Sequence, residues 1–239
     1  DVYHFPVFRY EGFFLGLPVM HHWTGKHPPL YENVDSRKTV ELASSRDLRN
    51  WHRVADRAAF MELSPVGDGG SYDTGQIGTT NGVIRRNNEL WFYYMGLRYR
   101  SQTIAATLNH GYLDASALCM SRLRLDGFVS LKGGIEWGSV LSQPIQVDGS
   151  ELRVNANAWR GRVKAEILDA DEEKPLPGYA IGDCVPVMSD CIDETVRWRE
   201  KNGVSELKGR TVRIRFSLWQ SELYAYWFTE PAPNHSTST

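Results

Sequence analysis

The residues of this chain that could do chemistry are few and scattered. Asp73 stands in GSYDTGQIG, where small neighbours leave room for a ligand beside a carboxylate. A carboxylate so placed either accepts hydrogen bonds from ligand hydroxyls or caps the backbone N–H groups of a turn. Tyr72 precedes it and could line a cleft with its ring. His21 and His22 end the run FFLGLPVMHHW, and Arg98 lies near the end of LWFYYMGLRYR. Side chains alternate along a strand, so only one of the two histidines can face a given side. A histidine pair at this spacing points apart and makes a poor metal pair. Glu62 in FMELSP reads as a surface-loop residue, and Glu166 and Asp169 read as solvated charges at strand edges. The candidate binding residues are therefore Asp73, His21, Arg98 and Tyr72, and no catalytic residue is assigned by motif.

Other chemistries find no pattern. The GDGG run at 67–70 opens no helix, so a phosphate loop is not indicated. There is no G-x-S-x-G nucleophile elbow. No C-x-x-C pair or spaced Cys/His set is present, so neither a metal nor a cofactor is expected. Of the three cysteines, Cys119 sits in an apolar run and reads as a core thiol. Cys184 and Cys191 could pair, and their spacing leaves that open.

Composition narrows the partners. The net charge of −2 lacks the basic excess of a nucleic-acid binder. No apolar run reaches the roughly 18 residues that cross a bilayer. Neither nucleic acid nor a membrane is expected as a partner. The opening DVYHFPVF has no basic start and no apolar leader core. Location stays open, with secretion one option. Aromatic residues reach 12%, with eight Trp and eleven Tyr, enough both to fill β cores and to offer flat faces to sugar rings.

The elements that must position these residues read as short strands. Two segments match at an offset of 77 residues. FFLGLPVMHHW (13–23) aligns with LWFYYMGLRYR (90–100), and VELASSRDLRNW (40–51) with ALCMSRLRLDGF (117–128). This offset places His21 opposite Arg98 and implies that the two face the same way. Glu11-Gly12 and Asn87-Asn88 read as tight hairpin turns, and Arg46-Asp47 as another. Trp51 and Phe128 close the copies, and Trp51 is expected to be a buried aromatic. Four short antiparallel strands per copy would make one propeller blade.

Beyond residue 129 the strands come at sandwich spacing, with turns at Asp148-Gly149, Arg160-Gly161, Pro177-Gly178 and Lys208-Gly209. IDETVRWREKNG (192–203) is the one helix candidate, with a charged-edged strand as the alternative. The expected organisation is all-β: a partial β-propeller of about two blades over 1–130, a β-sandwich over 131–229, and a disordered tail over 230–239.

SSRDLRNWHRV (44–54) resembles the S-x-D-L-x-x-W hairpin of glycoside hydrolase families 32 and 43. GGSYDTGQIGTTNGVIRRNNELWFYYMG (69–96) is similar to the start of a later blade in those proteins. The run from Gly149 to Tyr226 resembles the sandwich that follows their propeller, through G-x-x-L-x-x-N, G-x-V-x-x-E-x-x-D and V-R-I-R-F. The resemblance implies a carbohydrate partner and hydrolysis by two carboxyl groups, one acid and one nucleophile or base. It also implies that those carboxylates come from blades that precede the part matched here. The family has five blades and this chain has sequence for about two. Two blades leave sheet edges open, so the chain is expected to be the distal part of a longer protein or to complete a ring with its own copies. A non-catalytic carbohydrate-binding or structural module is the alternative.

Overall fold

The computed structural model describes residues 1–25, 35–67, 70–100 and 114–231. Most of the tail expected to be disordered lies outside the described residues, as do Asp68 and Gly69 of the GDGG run. The fold is all-β, with several sheets and no α-helix among the described residues. Among the described residues no helix is long and apolar enough to cross a membrane. The chain divides into two compact units, Asp1–Leu123 and Arg124–Thr239.

The N-terminal unit begins with β1 (Val2–His4), β2 (Val7–Tyr10), β3 (Phe13–Gly16), β4 (Val19–Gly25), β5 (Asp35–Glu41) and β6 (Ala43–Ser45). It continues with β7 (His52–Arg53), β8 (Ala59–Met61), β9 (Gln76–Thr79), β10 (Ile84–Arg86), β11 (Glu89–Leu97) and β12 (Ser116–Arg124). One sheet runs β1-β4-β5-β9-β11-β10, with β8 on β5 and β12 on β11; a second runs β2-β3-β6-β7. Prolines explain the division. Pro6 separates β1 from β2 and Pro18 separates β3 from β4. A proline donates no ladder hydrogen bond, so the strands bend there and pass from one sheet into the other. The pairing register survives the bend, from Phe14↔Ser45 through Gly16↔Ala43 to Val19↔Val40 and His21↔Lys38. The second copy has no proline at this place, and β11 runs unbroken for nine residues. Leu17, Val19, Val40, Ile77, Leu90 and Phe92 are buried in this unit. Phe92 meets Phe8 and Phe60 edge to face, which ties the two copies together.

The copies match less simply than the 77-residue offset predicts. Tyr10↔Phe13 closes the first hairpin and Arg86↔Glu89 the second, so the structural offset runs from 10 to 86, or 76 residues. One residue of slip reverses the face of every side chain. The first copy has outer strands, β7 on β6 and β8 on β5, whereas β12 pairs with β11.

The Arg46-Asp47 reversal is not a tight turn. β6 and β7 pair through Ala43↔Arg53 and Ser44↔His52, which leaves a longer loop between them. Asp47 organises that loop by accepting the backbone N–H groups of Arg49 and Asn50 at 2.9 and 2.8 Å. These bonds hold its carboxyl well below its ordinary value of 3.8. A depressed folded value means stability that is present above the unfolded pKa and is lost as pH falls below it. Asp47→Asn is therefore expected to be less stable than the parent near neutrality, with the gap closing below about pH 4. Urea unfolding at several pH values tests this, and a gap independent of pH would contradict it. Trp51 is half-buried, contrary to the expectation of a buried aromatic. It meets the Phe5 ring edge to face at 4.8 Å and donates its indole N–H to Leu48 O. A Cβ on Gly16 would lie 2.1 Å from the Phe5 ring, so glycine is required beneath this pair.

The C-terminal unit contains β13 (Leu131–Lys132), β14 (Gly138–Leu141), β15 (Ile145–Gln146), β16 (Glu151–Asn157) and β17 (Arg162–Asp169). It also contains β18 (Cys184–Val185), β19 (Asp190–Thr195), β20 (Arg197–Trp198), β21 (Thr211–Trp219) and β22 (Glu222–Thr229). One sheet runs β13-β22-β16-β19; another has β14 and β15 on one edge of β21 and β17 along the other. Strand alternation sends Leu152 and Val154 from the first sheet, and Ile214 and Phe216 from the second, into one shared core. This arrangement fits the expected sandwich.

Two readings of this region are corrected. The helix candidate at 192–203 is strand in β19 and β20, because Trp198 must point into the core and is 1% exposed. Glu166 is not a solvated edge charge. It is buried, with Oε1 accepting from Arg215 at 2.6 Å and Oε2 accepting from the Ile181 N–H at 3.2 Å. Asp169 is partly exposed and paired with Arg210 at 2.7 Å. All three cysteines are free, Cys184 buried and Cys191 partly buried. Asn155 is fully buried, donating to Leu125 O at 2.7 Å and accepting from Arg124, which also reaches Asp190. This network anchors the start of the unit on β16 and β19.

Candidate functional site

Three of the four candidate residues meet at the end of β11. The segment 72–75 runs beside that end: Gly75 donates its N–H to Leu97 O at 2.9 Å, and Thr74 Oγ1 donates to Arg98 O at 3.0 Å. The approach is close enough to need glycine in the strand. A Cβ on Gly96 would fall 3.1 Å from Asp73 N and 2.9 Å from Cys119 Sγ. The Y-Y-x-G pattern of β11 thus has a steric basis.

Tyr72 and Asp73 are consecutive and have different surroundings. Asp73 is 8% exposed, and its Oδ2 accepts the Tyr94 hydroxyl at 2.8 Å. Burial, with the neighbouring carboxylate, pushes the Tyr94 hydroxyl far above its ordinary value. Burial first, then Asp73, also pushes the half-buried Cys119 thiol up. Asp73 therefore faces protein groups. Tyr72 lies beneath the Arg98 guanidinium, whose central carbon is 4.0 Å from the ring centroid. Arg98 Nη1 donates to Asp114 Oδ2 at 2.6 Å, and the Tyr72 hydroxyl donates to Asp114 Oδ1. The hydrogen bond to Asp114 raises the Tyr72 pKa. Arg98 Nε is buried and finds no hydrogen-bond partner among the described residues.

Asp114 is the residue that sequence reasoning missed. It lies 16 residues from Arg98 and 42 from Tyr72, so no local spacing announces it. Its one local sign is a left-handed backbone, φ 60, just before β12, a conformation that aspartate tolerates.

His21 does not join this group. It pairs with Lys38, Lys38 with Gln76, and Gln76 with Leu97, so His21 shares a row with Leu97 and not with Arg98. The expected equivalence of His21 and Arg98 fails because the structural offset is one residue shorter. Three strand spacings, roughly 14 Å, separate His21 from β11. His21 stacks on Tyr3, with centroids 5.9 Å apart. Partial burial, followed by the charge of Lys38, lowers its pKa. His22 turns the other way and bonds Thr39 Oγ1 at 2.8 Å. Glu62 is exposed, as expected of a loop residue.

Three carboxylates of this unit have partners. Asp73 is held by Tyr94, Asp114 by Arg98 and Tyr72, and Glu41 by the Nε and Nη2 groups of Arg53. The arrangement offers an aromatic ring, a guanidinium and hydrogen-bonding groups, which suits ligand recognition better than proton transfer. Among the described residues no three His, Cys, Asp or Glu side chains are grouped as metal ligands. Two clefts lie in the C-terminal unit. One of about 330 Å³ is lined by Val185, Val187, Met188, Glu194 and Arg197, and one of about 200 Å³ by Leu131, Val140, Phe216 and Tyr224.

No protein-family model and no curated protein matches the chain. A solved glycoside hydrolase family 43 arabinoxylan arabinofuranohydrolase from Bacillus subtilis, in complex with cellotetraose, aligns with 95% of this chain at 10% identity and a TM-score of 0.29. The chain spans about half, 54%, of that structure's length. Likeness of this degree leaves function to be argued from the residues themselves.

Proposed function

We propose that this chain is the carbohydrate-handling, distal part of a glycoside hydrolase-like protein, and that the acid and base carboxylates of hydrolysis lie outside its described residues. The convergence of Tyr72, Arg98 and Asp114 at the end of β11 carries this reading. A flat ring beside charged hydrogen-bonding groups matches a sugar, which presents C–H faces and hydroxyl edges. Tyr72 and Arg98 are the contact residues. Asp73 supports them from the buried side through Tyr94, and His21 stands apart. A second reading, a carbohydrate-binding module with no hydrolytic role, is favoured by the partnered state of Asp73, Asp114 and Glu41.

Calorimetric titration of the chain with a panel of oligosaccharides tests the site. Arg98→Ala is expected to weaken binding of a recognised glycan about tenfold or more. Tyr72→Phe keeps the ring and is expected to weaken it less. Unchanged affinity in both variants would remove the site. Aryl glycosides separate the two readings: turnover that appears only in a longer parent supports the distal-part reading, and silence from both leaves the binding module.

A further inference from the structure

We propose a second carbohydrate site on the outer face of the C-terminal sheet, selective for an oligosaccharide of hexuronic acids. It is independent of the Tyr72–Arg98 reading. Strand β21 reads TVRIRFSLW; its even members point into the core, and Arg213, Arg215, Ser217 and Trp219 form the opposite face. Pairing extends that face sideways. Ser217 lies between Ser139 on β14 and Lys164 on β17, and Trp219 lies beside Arg162.

Trp137 precedes β14 and completes the Trp219 row. The two indoles are stacked with centroids 6.3 Å apart and planes 29° apart. At that distance the rings are displaced along one another, so they form an extended shelf and leave a face open. Trp137 remains 50% exposed. Trp219 is oriented by its indole N–H, which donates to Ile135 O at 2.8 Å. A rigid aromatic shelf of this kind accepts the C–H face of a sugar ring.

The charges beside the shelf select the sugar. Arg213 pairs with Glu173 and Arg215 with Glu166. Arg162 and Lys164 have no carboxylate partner among the described residues; Lys164 reaches only Ile181 O, at 3.4 Å. Two cations without counter-charges stand next to two tryptophans and two serines. A guanidinium takes a carboxylate through two hydrogen bonds, and the serine hydroxyls both donate and accept toward sugar hydroxyls. An acidic sugar satisfies ring, hydroxyl and charge together, whereas a neutral one leaves the cations uncompensated.

The test uses the full chain, titrated calorimetrically with a galacturonic acid trisaccharide and with its neutral galactose counterpart at low ionic strength. The acidic sugar is expected to bind about tenfold or more tightly than the neutral one, and to weaken as salt rises to about 0.5 M. Arg162→Gln with Lys164→Gln is expected to abolish that preference. Trp137→Ala, at an exposed position where folding is readily checked by melting temperature, is expected to weaken both sugars about tenfold. Equal affinity for the two sugars, no binding of either at millimolar concentration, or full affinity in these variants would each overturn the proposal. Repeating the titrations on Arg98→Ala, which removes the N-terminal contact, reads the outcome here separately from that of the N-terminal site.

Discussion

Trp198→Ala is expected to lower the free energy of unfolding by about 3–5 kcal/mol. Trp198 is 1% exposed, and its indole N–H donates to Ala165 O at 3.0 Å. Its ring meets Tyr179 edge to face with centroids 5.0 Å apart. Truncation leaves a cavity in the shared core, orphans a buried carbonyl and removes the aromatic contact. Urea denaturation of the parent and variant measures the loss. Trp198→Phe keeps much of the volume and not the hydrogen bond, so it should fall between them. A loss below about 1 kcal/mol for the alanine variant would mean that β20 does not dock as described.

Asp73→Ala is expected to cost about 2–3 kcal/mol, because it strips a buried hydroxyl of a charged acceptor. The Tyr94 hydroxyl is the group left unpaired. Tyr94→Phe removes that hydroxyl, so adding it to Asp73→Ala should recover part of the loss, and a double-mutant cycle should show coupling of about 1 kcal/mol or more. A merely local turn cap would show no such coupling to Tyr94. If instead stability holds while glycan affinity falls, Asp73 is a ligand residue and the buried support assigned to it above is wrong. The prediction thus decides between the two roles that its neighbours in GSYDTGQIG leave open.

The site was partly legible. Small residues around Asp73 do mark a close approach, and the structure shows it as backbone packed on Gly96. Tyr72 and Arg98, both candidates in the sequence, do meet. Asp114 was invisible, because its contacts reach 16 and 42 residues along the chain. His21 was misplaced because alternation converts a one-residue error in a repeat offset into the wrong face. Glu166 reads as a surface charge in the sequence because a carboxylate seldom goes under unless it finds a partner, and Arg215 lies 49 positions further along.

What the sequence by itself determined is the strand content, the two short hairpin turns and the alternation that builds the sandwich core. These depend on neighbours in the chain: period-two apolar spacing, turn residues that tolerate positive φ, and prolines that stop a ladder. What only the tertiary structure decided is register across strands, the pairing of buried charges and the grouping of exposed ones. Trp137 and Trp219 are 82 residues apart and stack because Gly138 pairs with Leu218. Register is a property of two strands at once, and no window along one strand contains it.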